Sequence, residues 1–171
     1  MKPVFVDVDG VVRDLETAVL GKDHDGGWAK EVDGMPFLDY VTLHRDTLLV
    51  DTPETEYCKA LQEWSNLAGP RSFKFLTSQP DEWRPYTEKW LADRFPGTPV
   101  IYVYKPKDKI EIIKKFDGIL IEDYPFFESY DNIVLVDRPY NHKVKSDRVS
   151  TPMEFLELML GARFDGAFNE K

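Results

Sequence analysis

The sequence contains a single cysteine, Cys58, among 171 residues, so it can build neither an internal disulfide nor a cysteine-based zinc cage. It has no apolar run near the roughly 18 residues that a membrane span requires, and Met1-Lys2-Pro3-Val4-Phe5-Val6 reaches Asp7 too early for a secretory leader. The expectation is a soluble, cytoplasmic protein that does not engage a membrane. Positive charge is also short: 22 Lys and Arg stand against 31 Asp and Glu, a formal charge of -9. A clamp on duplex nucleic acid needs a basic face, and this balance argues against one. His24, His44 and His142 are scattered without metal-ligand spacing. Repeats and low-complexity tracts are missing too. What is present is 42% hydrophobic residues and 13% aromatics, enough to bury one sizeable core.

Short apolar runs rich in β-branched and aromatic residues recur at 4–8, 72–77, 100–104, 118–121 and 133–136, the signature of fully buried strands. Between them lie segments of helical period. Residues 82–95 place Trp83, Tyr86, Trp90 and Leu91 at spacings near three and four, and residues 108–116 do the same with Ile110, Ile113 and Phe116. The alternation predicts an α/β fold, a Rossmann-like parallel sheet of about five strands flanked by helices. Thr151-Pro152-Met153-Glu154 opens a C-terminal helix with a capping-box pattern. The interval from the first strand to the second is too long for one crossover and carries its own periodic segments, including a helix after Thr52-Pro53 with Tyr57, Leu61 and Trp64 on one face. It reads as a small helical cap. The predicted organisation is a core of 1–13 and 70–162, a cap of 14–69 and a loose tail of 163–171, with Gly21 and Gly34 as hinge candidates.

The first strand ends in Asp7-Val8-Asp9-Gly10. Side chains alternate along a strand, so both carboxylates lie on one face, and Gly10 permits a sharp exit turn. In an open parallel sheet, ligands gather at the carboxyl ends of the strands. Clustered Asp oxygens there suit a hard cation such as Mg²⁺. Three later features fall at comparable strand ends. Thr77 and Ser78 precede a helix and offer hydroxyls and free N–H groups to phosphoryl oxygens. Lys105, Lys107 and Lys109 offer an ammonium that could neutralise phosphate and the acids. Glu122-Asp123 is a second acidic pair.

In this order the motifs resemble those of the haloacid dehalogenase superfamily of phosphohydrolases: Asp7-Val8-Asp9-Gly10, Thr77, a lysine at 107 or 109, and Glu122-Asp123. The resemblance spans nearly the whole chain. Leu76-Thr77-Ser78, the helix around 86–90, Asp108-Lys109, Leu120-Ile121-Glu122-Asp123-Tyr124-Pro125 and Asp137-Arg138-Pro139-Tyr140-Asn141 are similar to the 5'(3')-deoxyribonucleotidase branch, which carries a helical cap after the first motif. Glu122 departs from that branch, where Asp is more usual. The resemblance implies that Asp7 is the nucleophile and Asp9 the general acid and base. It further implies that Asp7, the Asp9 carbonyl and Asp123 hold Mg²⁺, with Glu122 and Gly10 in support, and that Thr77, Ser78 and one lysine bind phosphate. The branch's Asp-Lys pattern favours Lys109, whereas Lys107 lies closer to the strand end.

Substrate contacts are expected from Trp28 and Phe37, aromatic rings in irregular chain beside glycines that could stack on a base, and from Arg13 near the phosphate or the cap hinge. The expected partner is a small phosphorylated substrate, a nucleoside monophosphate first of all. A phosphosugar, a nucleic-acid 3'-phosphate end and a non-catalytic interaction protein are the alternatives. Oligomeric state is left open, a homodimer included.

Overall fold

The computed structural model describes residues 2–22, 24–127, 130 and 132–164. The chain runs through β1 (Val4–Val6), α1 (Leu15–Leu20), a hairpin of β2 (Glu31–Val32) and β3 (Met35–Pro36), α2 (Phe37–Leu43), α3 (Arg45–Asp51) and α4 (Glu56–Ala68). It continues through β4 (Lys74–Ser78), α5 (Arg84–Arg94), β5 (Val100–Val103), α6 (Asp108–Phe116), β6 (Ile119–Glu122), β7 (Ile133–Val136), β8 (Arg148–Val149) and α7 (Pro152–Phe164). The predicted α/β architecture is present. Six strands form an all-parallel sheet of order β5-β4-β1-β6-β7-β8. The sixth, β8, has only two residues and escapes any reading of hydrophobic pattern.

β1 is buried along its whole length, as a central strand covered on both faces must be. Val4 and Val6 face one layer with Tyr57, Leu61 and Trp64 of α4, Trp90 of α5 and Phe155 and Met159 of α7. Phe5 faces the other with Leu76, Leu120, Leu135 and the α6 residues Ile110 and Ile113. The chain leaves β1 toward β4 and β5, and leaves β6 toward β7 and β8. Connections therefore diverge at the β1/β6 boundary, which opens a crevice at the carboxyl ends of those two strands.

Two expectations about the insertion need correction. Helix α4, assigned by pattern to the cap, packs against the sheet and α7 instead; its N-cap is Thr55, whose Oγ1 accepts from Tyr57 N at 3.2 Å. The segment that stands apart from the sheet is the stretch from α1 to α3. It gathers around Leu15, Phe37, Val41 and Leu49 and rests on the fully buried Trp83, whose indole N–H donates to Thr42 Oγ1 at 2.8 Å. Gly34 is not a hinge: with Asp33 it turns the β2–β3 hairpin at φ of +78° and +52° respectively, the paired left-handed conformation of a tight hairpin turn. α7 starts where the capping pattern places it, Thr151 Oγ1 accepting from Glu154 N at 3.2 Å, while the Glu154 carboxylate accepts from Ser150 N at 2.6 Å, one residue before the N-cap N–H of a full capping box. It extends into the stretch read as a tail, and residues 165–171 lie outside the described residues.

Candidate functional site

Asp7 is the first residue past β1, anchored by its N–H to Ile121 O at 2.9 Å. Its Oδ2 lies 2.9 Å from Lys109 Nζ, and the same ammonium lies 2.7 Å from Glu122 Oε2. Lys109 reaches this position from the first turn of α6 and is 3% exposed, whereas Lys107 is exposed. Asp7 Oδ1 is buried and has no hydrogen-bond partner among the described residues. Glu122 Oε1 accepts from the N–H groups of Asp123 and Tyr124 at 3.2 and 3.4 Å, fixing the end of β6. Asp123 accepts from the Tyr140 hydroxyl, and its backbone carbonyl accepts from Asn141 Nδ2 at 2.8 Å. Gly10 makes this packing possible. At φ +80°, a β-carbon there would fall 1.9 Å from Asp123 Oδ2.

Oxygens of Asp7, Glu122 and Asp123 lie within 4.8 Å of one another. Burial, then the neighbouring Glu122, pushes the Asp7 carboxyl well above its ordinary range against the pull of Lys109. Burial also raises Glu122. Asp123 is pushed up to about 7 by burial, then by Glu16 and Asp7. Glu16, a buried acid on α1 that accepts from Gly27 N at 3.0 Å, is raised by burial to about 7 as well. For Lys109, burial pulls the ammonium down and the two carboxylates more than reverse it. The raised acids and the partnerless Oδ1 describe a buried group of carboxylates short of positive charge. Oxygen donors at this spacing are of the kind that hold a hard cation.

Other predicted residues are distributed around this centre. Asp9 is 3% exposed, and its carboxylate is not one of the three clustered acids; it is gripped by Arg13 and by Gln79, whose Nε2 donates to Oδ2 at 2.6 Å. Thr77 is buried at the end of β4, and Ser78 beside it is half-buried. Arg13 is not a substrate contact in this arrangement. It is fully buried, with its guanidinium nitrogens committed to Asp9, Thr87 and the Leu49 carbonyl. Phe37 is not a pocket residue either: it is fully buried in the insertion's interior. Trp28 is half-buried, its ring edge-on to Phe37 at 5.3 Å between centroids.

Sequence reasoning missed Glu16, Gln79, Thr87 and Tyr140, and left the 137–141 segment without a role. Arg138 Nε donates to Gly10 O at 2.7 Å, and Asn141 spans from Arg138 N to the carbonyls of Asp123 and Val136. The turn-rich Arg-Pro-Tyr-Asn run was the available signal for this clasp. Glu16 gave none, since an acid in the first turn of a short helix reads as an ordinary dipole partner.

The six-stranded parallel sheet, its flanking helices and its inserted segment make this a haloacid dehalogenase-like, Rossmann-type α/β fold. Among solved structures it is similar to the crystal structure of a HAD family hydrolase from Deinococcus radiodurans R1 with bound phosphate and sodium, at 14% sequence identity and a TM-score of 0.56 over 95% of this chain and 96% of that one. No family model and no curated protein matches the chain.

Proposed function

We propose that the chain is a Mg²⁺-dependent phosphomonoesterase that hydrolyses nucleoside monophosphates through an aspartyl-phosphate on Asp7. The observation that carries this reading is the state of Asp7: a buried carboxylate at the divergence point of the sheet, one oxygen on Lys109 and the other without a hydrogen-bond partner among the described residues. A buried acceptor left unmade costs stability, and a ligand that completes it explains its retention.

In the first step Asp7 Oδ1 attacks phosphorus in line, the bond to the leaving oxygen breaks, and Asp9 gives that oxygen its proton. In the second, Asp9 takes a proton from water as the water oxygen attacks the phosphoryl group, releasing phosphate and restoring the Asp7 carboxylate. Lys109 holds Asp7 Oδ2 at 2.9 Å and would bind the non-bridging oxygens, with Glu122 holding the same ammonium at 2.7 Å. Thr77 and Ser78 offer hydroxyl and N–H groups to the same oxygens. The Asp7 and Asp123 carboxylates and the Asp9 carbonyl would hold Mg²⁺, which supplies charge screening between an anionic nucleophile and an anionic phosphate. The phosphate in the Deinococcus protein of the same fold supports phosphate as the ligand class. The nucleotide preference is supported by the deoxyribonucleotidase-like motifs, with Trp28 as the ring available to a base.

The test is phosphate release with Mg²⁺ across deoxy- and ribonucleoside monophosphates beside sugar phosphates. Turnover is expected to favour nucleotides and to vanish in EDTA and in Asp7→Asn. Activity without nucleotide preference removes the nucleotide assignment alone. Activity that survives Asp7→Asn removes the mechanism.

A further inference from the structure

We propose that Arg13 is the positioning residue of the acid–base step, fixing the Asp9 carboxylate and tying it to the seat of the insertion. The inference rests on the phosphomonoesterase reading above.

The exit turn from β1 folds Arg13 back onto Asp9: Arg13 N donates to Val8 O at 2.9 Å, and Gly10 N donates to Arg13 O at 2.8 Å. Arg13 Nε then reaches Asp9 Oδ1 at 2.7 Å and Nη2 reaches Oδ2 at 3.1 Å, a two-point grip that sets the plane of the carboxylate. Gln79 Nε2 adds a bond to Oδ2 at 2.6 Å. Oδ2 thus accepts twice and Oδ1 once, so Oδ1 is the oxygen with a lone pair left for proton transfer.

The grip is itself held. Thr87 Oγ1 accepts from Arg13 Nη2 at 3.0 Å and donates to Gln79 Oε1 at 2.9 Å, closing a ring of four side chains in which Arg13 and Thr87 are fully buried. Arg13 Nη1 donates at 3.1 Å to Leu49 O, one of the carbonyls in the last turn of α3 that the helix leaves without a partner. The guanidinium also lies 5.7 Å from the centre of the Trp90 ring. A buried ion pair is a poor way to gain stability compared with apolar packing. Its placement two residues past Asp7, bridging Asp9 to α3, gives it a second use: the orientation of Asp9 depends on how the insertion sits.

The readout is kcat/KM for two leaving groups, because kcat/KM covers only the steps up to leaving-group departure. An alkoxide needs a proton as it leaves, whereas p-nitrophenolate does not. In Arg13→Ala, kcat/KM for the alkyl phosphate that the wild type hydrolyses best is expected to fall about a hundredfold, and that for p-nitrophenyl phosphate less than about fivefold. Arg13→Lys is expected to restore part of the alkyl loss, since an ammonium holds one oxygen without the fork. Thr87→Val keeps the buried charge, removes one tether, and is expected to shift the alkyl-to-aryl ratio in the same direction by a smaller factor; should Arg13→Ala fail to fold, an unchanged ratio in Thr87→Val overturns the proposal. Equal losses on both substrates, or none, overturn the positioning role and leave the phosphomonoesterase reading intact. No phosphate release by the wild type from any ester overturns both.

Discussion

Replacing Lys109 by methionine removes the ammonium that sits 2.9 Å from Asp7 and 2.7 Å from Glu122 while keeping the length of the side chain. The three residues are 3%, 7% and 1% exposed, so water cannot substitute for the lost charge. Breaking a buried pair from one side typically costs ~3–5 kcal/mol, which for a chain of this size is a fall of roughly 6–20 °C in Tm. The fall should depend on pH. Asp7 and Glu122 already bind protons more readily than ordinary carboxylates, and without Lys109 they do so more readily still, which removes the uncompensated charge in acid. Scanning calorimetry in EDTA at pH 8 and pH 5.5 is the assay, with the larger loss expected at pH 8. Asp25→Asn is the control: its pair with Lys30 is as short, 2.7 Å, but both side chains are largely in water, and Tm should not move. A Lys109→Met loss below about 1 kcal/mol, or one equal at both pH values, refutes the reasoning, because measured losses at buried pairs are several times larger.

Glu16 and Asp123 titrate near 7 in the folded chain, above their ordinary range. The native state therefore binds protons that the unfolded chain has released, and stability in EDTA should fall as pH rises from about 4 toward 7. Mg²⁺ should raise Tm more at pH 8 than at pH 5.5; a Mg²⁺ effect that does not grow with pH counts against a metal among these acids. Gly10→Ala should lose at least about 1 kcal/mol from the left-handed backbone alone, and also lose turnover as the new methyl displaces Asp123, whose Oδ2 it would meet at 1.9 Å. Wild-type phosphate release by that variant would show that Asp123 is not needed where it sits. Asn141→Leu strips partners from Asp123 O, Val136 O, Arg138 N and Arg148 Nη1, at about 1–3 kcal/mol for each buried group left unpaired; denaturant unfolding should record a loss of at least about 1 kcal/mol, and an unchanged midpoint would refute it.

The strand–helix alternation and the acidic strand ends were legible because they depend on local period. Asp7, Glu122 and Asp123 converge because β1 and β6 are hydrogen-bonded neighbours, and the sequence could place each acid at the end of its own strand. The Asp-Lys pattern favoured Lys109 over Lys107, and the helix gives the physical reason: α6 begins at Asp108, and its first turn turns Lys109 inward. Period shows that α4 buries a face but not which layer receives it, which is why Tyr57, Leu61 and Trp64 were assigned to the wrong side of the insertion. Phe37 looked available because glycines precede it, yet α2 folds it onto Leu15 and Leu49. Tyr140 and Asn141 reach Asp123 from 17 and 18 residues away, and Gln79 reaches Asp9 from 70. Contacts at that separation leave no periodic trace: the Arg-Pro-Tyr-Asn run marked a turn, but which acids it clasps is visible only in three dimensions.

The central claim is that Asp7 carries the phosphoryl group. Acid quenching during turnover of a nucleoside monophosphate with Mg²⁺, followed by peptide mapping, tests it most directly. The expected result is one phosphoryl group on the peptide containing Asp7, absent in Asp7→Asn and in EDTA. Steady turnover with no phosphorylated peptide, or with the phosphoryl group on another residue, would contradict it.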